Sequence, residues 1–309
     1  MEIALNLSRF LAESLETRVY EIMNVSEERI FKSLKVLMDD ESPLVRKAVL
    51  EQLKNQPVQG KQFLREILSG EDPLLARYAQ EINRSLGWVD VIGDFLDFIG
   101  SQRYELETGW FLLDRTVYPE FEPAEATLLM DKLSDRVREL VTPPLRPRQT
   151  CSIINRVLFH EHGFRGAGKN FEDPENSFLH RVLERKQGLP ITLSVLYLLI
   201  ARRIGFELEP IGLPGRFMVG CFKEDRPFYV DAWSGGKILE LEQMENFLEH
   251  SSVEDSGSAL LPVTVGETLS RGCRNLVHHF LLAKDSEKSN LFSGFVQEFE
   301  RVQRLASNA

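Results

Sequence analysis

From Ile191 to Ala201 the chain reads I-T-L-S-V-L-Y-L-L-I-A, an apolar run broken only by two small hydroxyls and a tyrosine. A helix that is apolar on every side has no face to offer water, so the remaining chain must wrap around it. The run is entered through Gly188-Leu189-Pro190 and left through Arg202-Arg203-Ile204-Gly205. Proline is at home in a first helical turn and glycine just beyond a last one. The stretch Leu193–Ala201 is far short of the roughly 18 apolar residues that a membrane span needs, so it reads as a core helix and no membrane partner is expected.

With 309 residues the chain has room for a large core and for two or more domains. Its net charge of −10 argues against nucleic acid as a partner, because phosphate contacts need a basic face. Arg136, Arg138, Arg146 and Arg148 form a local basic cluster, but acids flank the first pair and the group reads as solvated surface. Cys151, Cys221 and Cys273 are too few and too scattered for a disulfide framework or a thiolate zinc site. The first 21 residues lack a basic stretch ahead of an apolar core, so no signal peptide is expected. These features point to a reduced, cytoplasmic protein with no cofactor.

Residues 1–90 read as wholly helical. Within them "DDESPLVRKAVLEQL" (39–53) and "GEDPLLARYAQEINRSL" (70–86) echo each other: acids, then proline, then an apolar–Arg–x–Ala pattern. The two segments resemble HEAT-type helical repeats. Residues 91–145 continue as helices that pack on the core, and "TPPLRPRQT" (142–150) reads as a linker. "CSIINRVLFHEHGF" predicts a helix ending at Gly163. Residues 146–250 are expected to form the core, with β-like runs at 207–214, 216–222 and 227–233. "SGGKILELEQMENFLEH" then predicts a turn, a short edge and a helix, and 251–309 a polar break and a helical pair. The fold class is α+β, predominantly α-helical, with a small antiparallel sheet flanked by helical hairpins.

A core helix with a Gly-x start, followed by strands bearing polar residues, resembles the transglutaminase-like superfamily with its papain-type core. Enzymes of that group set a cysteine at the helix N-terminus, a histidine on the next strand and Asp or Asn on the strand after. The helix terminus and the imidazolium lower the thiol pKa, and the carboxylate orients the ring. The resemblance sets Gly188-Leu189-Pro190 on the family's Gly-x-Cys, so the nucleophile position falls on Pro190. It sets Arg216 of "RFMV" at the histidine position and retains the acid as Asp231 of "FYVDAW". Proline has no nucleophilic atom, and an always-protonated arginine cannot act as a base.

The stretch is closer still to the SirB-type bacterial branch, through "HEHGFRGAGKNFEDPENSFLHRVLERKQGLPITLSVLYLLIARRIG", "GLPGRFMVG" and "VDAWSGG". That branch typically reads Gly-Ile-Pro-Ile-Ser-Leu-Ser at the helix start, so the missing cysteine is a branch feature. It usually carries His after Pro-Gly and later Asp-Pro-Phe-x-Gly-Gly; this chain departs from it at Arg216 and at Ala232-Trp233. The resemblance covers roughly residues 100–240.

Asp231 is open to two readings, a working acid or a structural ion pair with Arg216 on the neighbouring strand. Cys221 lies at an odd offset from Arg216, and alternation sets the two on opposite faces of a strand. Ser194 stands one turn after Pro190 with no base near it in sequence, and Thr192 can bond locally. Asn176, Ser194 and Trp233 are candidate groove-lining residues, with Asn176 or Ser177 also a candidate helix cap. His160 and His162 point to different helix faces, so with His180 they make no convincing zinc site. The resemblance implies a non-catalytic protein that binds a peptide or protein partner through the former active-site groove. Two alternatives stay open: a hydrolase or acyltransferase with rearranged residues, using Asp231 with Ser194, and a helical scaffold binding through its N-terminal repeats.

Overall fold

Proline opens helix after helix in this protein. The computed structural model describes residues 29–40, 42–68, 72–88, 90–142, 146–249 and 259–307. The expected helices over 1–28, and most of the expected polar break at 251–259, lie outside the described residues. The chain divides into two units, Met1–Asp90 and Val91–Ala309.

In the first unit a helix over 29–37 is followed by α1 (Pro43–Asn55), α2 (Pro57–Leu68) and α3 (Pro73–Leu86), each with proline at its first position. Asp72 caps α3, accepting from the N–H groups of Leu74 and Leu75 at 3.0 and 3.1 Å. Leu53, Leu64 and Ala79 are fully buried among these helices.

The second unit is built around one helix. After α4 (Val91–Ser101), α5 (Leu106–Arg115), α6 (Pro123–Leu140) and α7 (Pro147–Asn155) come a π-helical turn (Arg156–Glu161) and α8 (Leu179–Arg185). Then follows α9 (Pro190–Arg203), in which every residue from Ile191 to Ala201 is buried. A pair of two-residue parallel strands, β1 (Arg165–Gly166) and β2 (Gln187–Gly188), leads into it. Next an antiparallel meander runs β3 (Glu209–Ile211), β4 (Met218–Cys221), β5 (Phe228–Asp231), β6 (Lys237–Glu240), in spatial order 3-4-5-6. The chain closes with α10 (Leu241–Glu249), α11 (Val265–Leu282) and α12 (Ser286–Ser307).

Side-chain alternation divides the sheet between two cores. Val219, Cys221, Phe228 and Val230 join the cluster built on α9, while Met218 and Tyr229 pack with Met244 and Leu248 of α10. This is the predominantly helical α+β arrangement, with a small antiparallel sheet, that the pattern of apolar runs predicts. Two boundaries differ from expectation. The supposed linker at 142–150 turns helical at Pro147, because a proline that cannot continue a helix can still begin one. The helix expected to reach Gly163 loosens into π geometry after Asn155, where Arg156 and Arg136 both bind Glu161.

Candidate functional site

The site grows from the first turn of α9. Gly188 lies hard against that turn: a Cβ there would stand 3.0–3.1 Å from Thr192, Leu193 and Val182. Thr192 closes the turn, its Oγ1 accepting from the Leu189 N–H at 2.9 Å and donating to the Asn176 carbonyl at 2.7 Å. The Leu189 N–H also reaches that carbonyl, at 3.3 Å. Asn176 is thereby fixed beside the helix start. Its Nδ2 donates to the Asn170 carbonyl at 2.6 Å, while its Oδ1 is buried without a partner.

Pro190 itself is half-buried and opens the helix. One turn on, Ser194 has no exposed surface, and its hydroxyl donates to the Phe217 carbonyl at 3.3 Å. That bond ties α9 to the residue beside Arg216. Among the described residues the Ser194 hydroxyl bonds neither Asp231, whose carboxylate partners are Arg216 and Ser234, nor any other side chain that could act as its base.

Arg216 and Asp231 meet, but on the other side of the sheet. Asp231 alternates with Val230 and so shares the face of Tyr229, and the Arg216 guanidinium lies 5.4 Å from the centre of the Phe247 ring on α10. Arg216 donates to Asp231 Oδ2; the carboxylate is wholly buried, whereas the arginine is partly exposed. Ser234 completes the carboxylate's partners, its Oγ donating to Oδ2 at 2.7 Å and its N–H to Oδ1 at 3.2 Å. Arg271 of α11 steadies the approach to β4 by donating to the carbonyls of Leu213 and Arg216.

The glycines of "VDAWSGG" have a physical reason. Gly236 adopts φ +79° and donates its N–H to the Asp231 carbonyl at 2.9 Å. A Cβ there would stand 2.0 Å from Asn155 Oδ1, and Asn155 donates in turn to the Gly236 carbonyl at 2.7 Å. The turn directs Trp233 onto Gly166, where a Cβ would lie 2.4 Å from the indole nitrogen. Gly166 pairs with Gly188, two residues before Pro190. Trp233 therefore lies over the strand pair that feeds the helix start, with Phe171, itself exposed, edge-on at 6.4 Å.

The thiols are elsewhere. Cys221 faces the α9 core, and burial raises the pKa of Cys221 and pushes that of Cys151 up to about 12. Neither thiol is an activated nucleophile. Among the described residues no group of three or more His, Cys, Asp or Glu could hold a metal ion. None of the described helices is long and apolar enough to cross a membrane.

One buried polar centre has no local signal in the sequence. Asp114 of α5 accepts from the N–H groups of Leu179 and His180 at 3.0 and 2.8 Å, and its Oδ2 lies 2.8 Å from His180 Nδ1. It therefore caps α8 from 65 positions away, where the local sequence predicts Asn176 or Ser177 as the cap. Burial raises the Asp114 pKa, against the lowering effect of His180 and of the two N–H groups.

Comparison with known proteins now adds to this geometry. Residues 124–274 match a family model described as the transglutaminase-like superfamily. A UPF0162 protein of Xylella fastidiosa (strain Temecula1) is 32% identical over 137 residues, which are 43% of this chain and 47% of that protein. A UPF0162 protein of Vibrio cholerae is 26% identical over 132 residues, 42% of this chain and 49% of its own. F-box only protein 21 of Mus musculus is 31% identical over 152 residues, 45% of this chain and 24% of its own. The chain thus spans about half the length of the UPF0162 relatives it matches. No solved structure matches it.

Proposed function

Because residues 124–274 belong to the transglutaminase-like superfamily, in the SirB-type branch of the UPF0162 relatives, we propose that this protein is a non-catalytic member that binds a peptide or protein partner. The partner engages the former active-site groove at the start of α9, over Trp233 and Phe171. The observation that carries this reading is the engagement of Asp231: Arg216 and Ser234 bind its carboxylate, and the pair sits on the α10 side of the sheet. Pro190 offers no nucleophile, and an arginine cannot take a proton. What remains at the helix start is aromatic surface beside buried polar groups, which suits recognition. A stretch of 152 residues 31% identical to this chain forms 24% of the much longer F-box only protein 21, as a portable binding module would.

The test has two arms. Incubation with a glutamine-containing peptide and a labelled amine is expected to give no transfer above background; turnover that vanished on Asp231→Ala or Arg216→Ala would sink the proposal. Peptides selected from a displayed random library on the wild-type protein are expected to lose at least tenfold in affinity on Trp233→Ala. A library that yields no binder sensitive to Trp233 counts against groove binding.

A second reading rests on the first unit, where Val36, Leu44 and Val58 are each at least 74% exposed. Those apolar side chains suit a HEAT-like scaffold that docks a partner through its own helices. Peptide binding lost on Leu44→Glu with Val58→Glu, but kept on Trp233→Ala, would favour it.

A further inference from the structure

Away from the start of α9, a cavity of about 480 Å³ opens between the α4–α5 loop, the first three turns of α11 and the last turns of α12. Its volume lies within the range of small-ligand sites. Tyr104, Val265, Phe299 and Val302 give it an apolar interior. Gly266, Ser270 and Arg274, four residues apart, form one stripe of α11 along its wall. Gly266 is needed there because the Tyr104 ring lies against it, 2.6 Å from where a Cβ would stand. The tyrosine hydroxyl is already used, donating to the Ile99 carbonyl at 2.8 Å.

Two polar groups on this wall are unused. Ser270 is 4% exposed, yet its Oγ is buried without a hydrogen-bond partner. A helical serine normally back-bonds one turn earlier, so an orphaned hydroxyl in a cavity wall points to something that fills the space. Arg274 is exposed at the rim and makes no hydrogen bond or ion pair with any described residue. Its neighbour Arg271 is committed to the carbonyls of Leu213 and Arg216 and adds like charge. The acid at the rim, Glu267, is folded back on its own helix start, accepting from the N–H of Thr264 at 2.7 Å and from its Oγ1 at 2.9 Å.

We propose that this cavity binds an apolar monocarboxylate, its tail among Tyr104, Val265, Phe299 and Val302 and its carboxylate between Ser270 Oγ and the Arg274 guanidinium. The planar guanidinium fork matches a carboxylate, and the Ser270 hydroxyl supplies a third donor. Glu267 at the same rim disfavours a doubly charged phosphate, whereas a single negative charge is balanced by Arg274. The same chemistry is offered by a free fatty acid and by the C-terminus of a hydrophobic peptide.

Titration of the full chain with decanoate, 1-decanol, and the peptide acetyl-Ala-Ala-Leu-Phe as free acid and as amide separates these sources. Backbone amide shifts at Gly266 and Ser270 report on the site. At least one acid is expected to saturate there and to bind about tenfold or more tighter than its neutral counterpart. Arg274→Gln, a change at an exposed position that leaves the melting temperature in place, is expected to erase that preference. Ser270→Ala is expected to weaken the acid severalfold and leave decanol unaffected. Saturation by decanoate alone assigns a fatty acid, and by the peptide acid alone a chain terminus. The proposal is overturned if neither acid saturates, if acid and neutral probe bind alike, or if Arg274→Gln leaves the preference intact.

Discussion

The Arg216 guanidinium rests on an Asp231 carboxylate that has no exposed surface, while about a third of the arginine side chain remains open to water. The two halves of this pair are therefore unequal. Removing Arg216 strands a buried charge, a loss of about 3–5 kcal/mol in a fully enclosed pair. Here the two Ser234 bonds remain and water can follow the arginine out, so Arg216→Ala is expected to cost about 2–3 kcal/mol. Asp231→Asn leaves an arginine free to turn outward and should cost about 1–2 kcal/mol. Urea unfolding of both variants checks the order; an asparagine variant less stable than the alanine one would mean that stranding the buried charge is not what governs the loss.

A second expectation concerns Asp114, which supplies both the missing cap of α8 and the partner of His180. Asp114→Ala leaves two backbone N–H groups and a ring nitrogen unpaired in a dry site. Capping and buried hydrogen bonds together set the loss at about 2–4 kcal/mol. Hydrogen exchange should locate it, with the Leu179 and His180 amides losing protection before the rest of α8. Uniform loss across the second unit would instead mean that Asp114 acts only on global stability.

The difference between Asp114 and the helix it serves explains what the sequence can convey. The core position of α9 is legible because eleven successive residues carry the signal, and Pro190 marks its start by a rule local to one turn. The strands are legible from β-rich runs between turn residues, although each proved shorter than its run: only Glu209–Ile211 of 207–214 pairs. Asp114 gives no such signal, since its partners lie 65 and 66 residues downstream and only the packing of α5 on α8 brings them together. The strand pair Arg165–Gly166 and Gln187–Gly188 is too short to have a period at all. At the site, family resemblance aligns Arg216 and Asp231, but the role of Ser234 and the sheet face on which the pair lies are properties of the turn after β5. The cavity beside Tyr104 is assembled from three segments up to about 200 residues apart and could not be read from any one of them.

Position 190 offers a direct test of how much of a nucleophile's environment persists. It is the half-buried first residue of a 14-residue helix, where backbone N–H groups and the helix dipole favour a negative charge. In Pro190→Cys the new thiol is expected to titrate below the ordinary value near 8.5, and to react with iodoacetamide at neutral pH well before the native thiols. Those three are buried, and burial raises each of their pKa values. Mass mapping of the alkylated site gives the answer, and a thiol at 190 no faster than Cys221 would show that the helix start no longer favours an anion.

The last expectation is a pH dependence set by His279, whose ring lies 5.9 Å from Phe171 with Nδ1 buried and unpartnered. Burial, and then the neighbouring His278, lower its pKa, outweighing the opposite pull of Glu172 and Asp173. The folded protein thus favours the neutral ring. Well above about pH 6.5, the usual histidine value, both states carry it neutral and its contribution is flat. As the pH falls through that value the unfolded chain takes up the proton first, so stability declines with falling pH until the folded ring titrates as well. His279→Gln removes this contribution and leaves the other titrating groups in place. Urea unfolding between about pH 7.5 and pH 5 is therefore expected to show a steeper acid-side loss for the wild type than for the glutamine variant. Parallel profiles would mean that water reaches the ring and compensates its charge in the folded state.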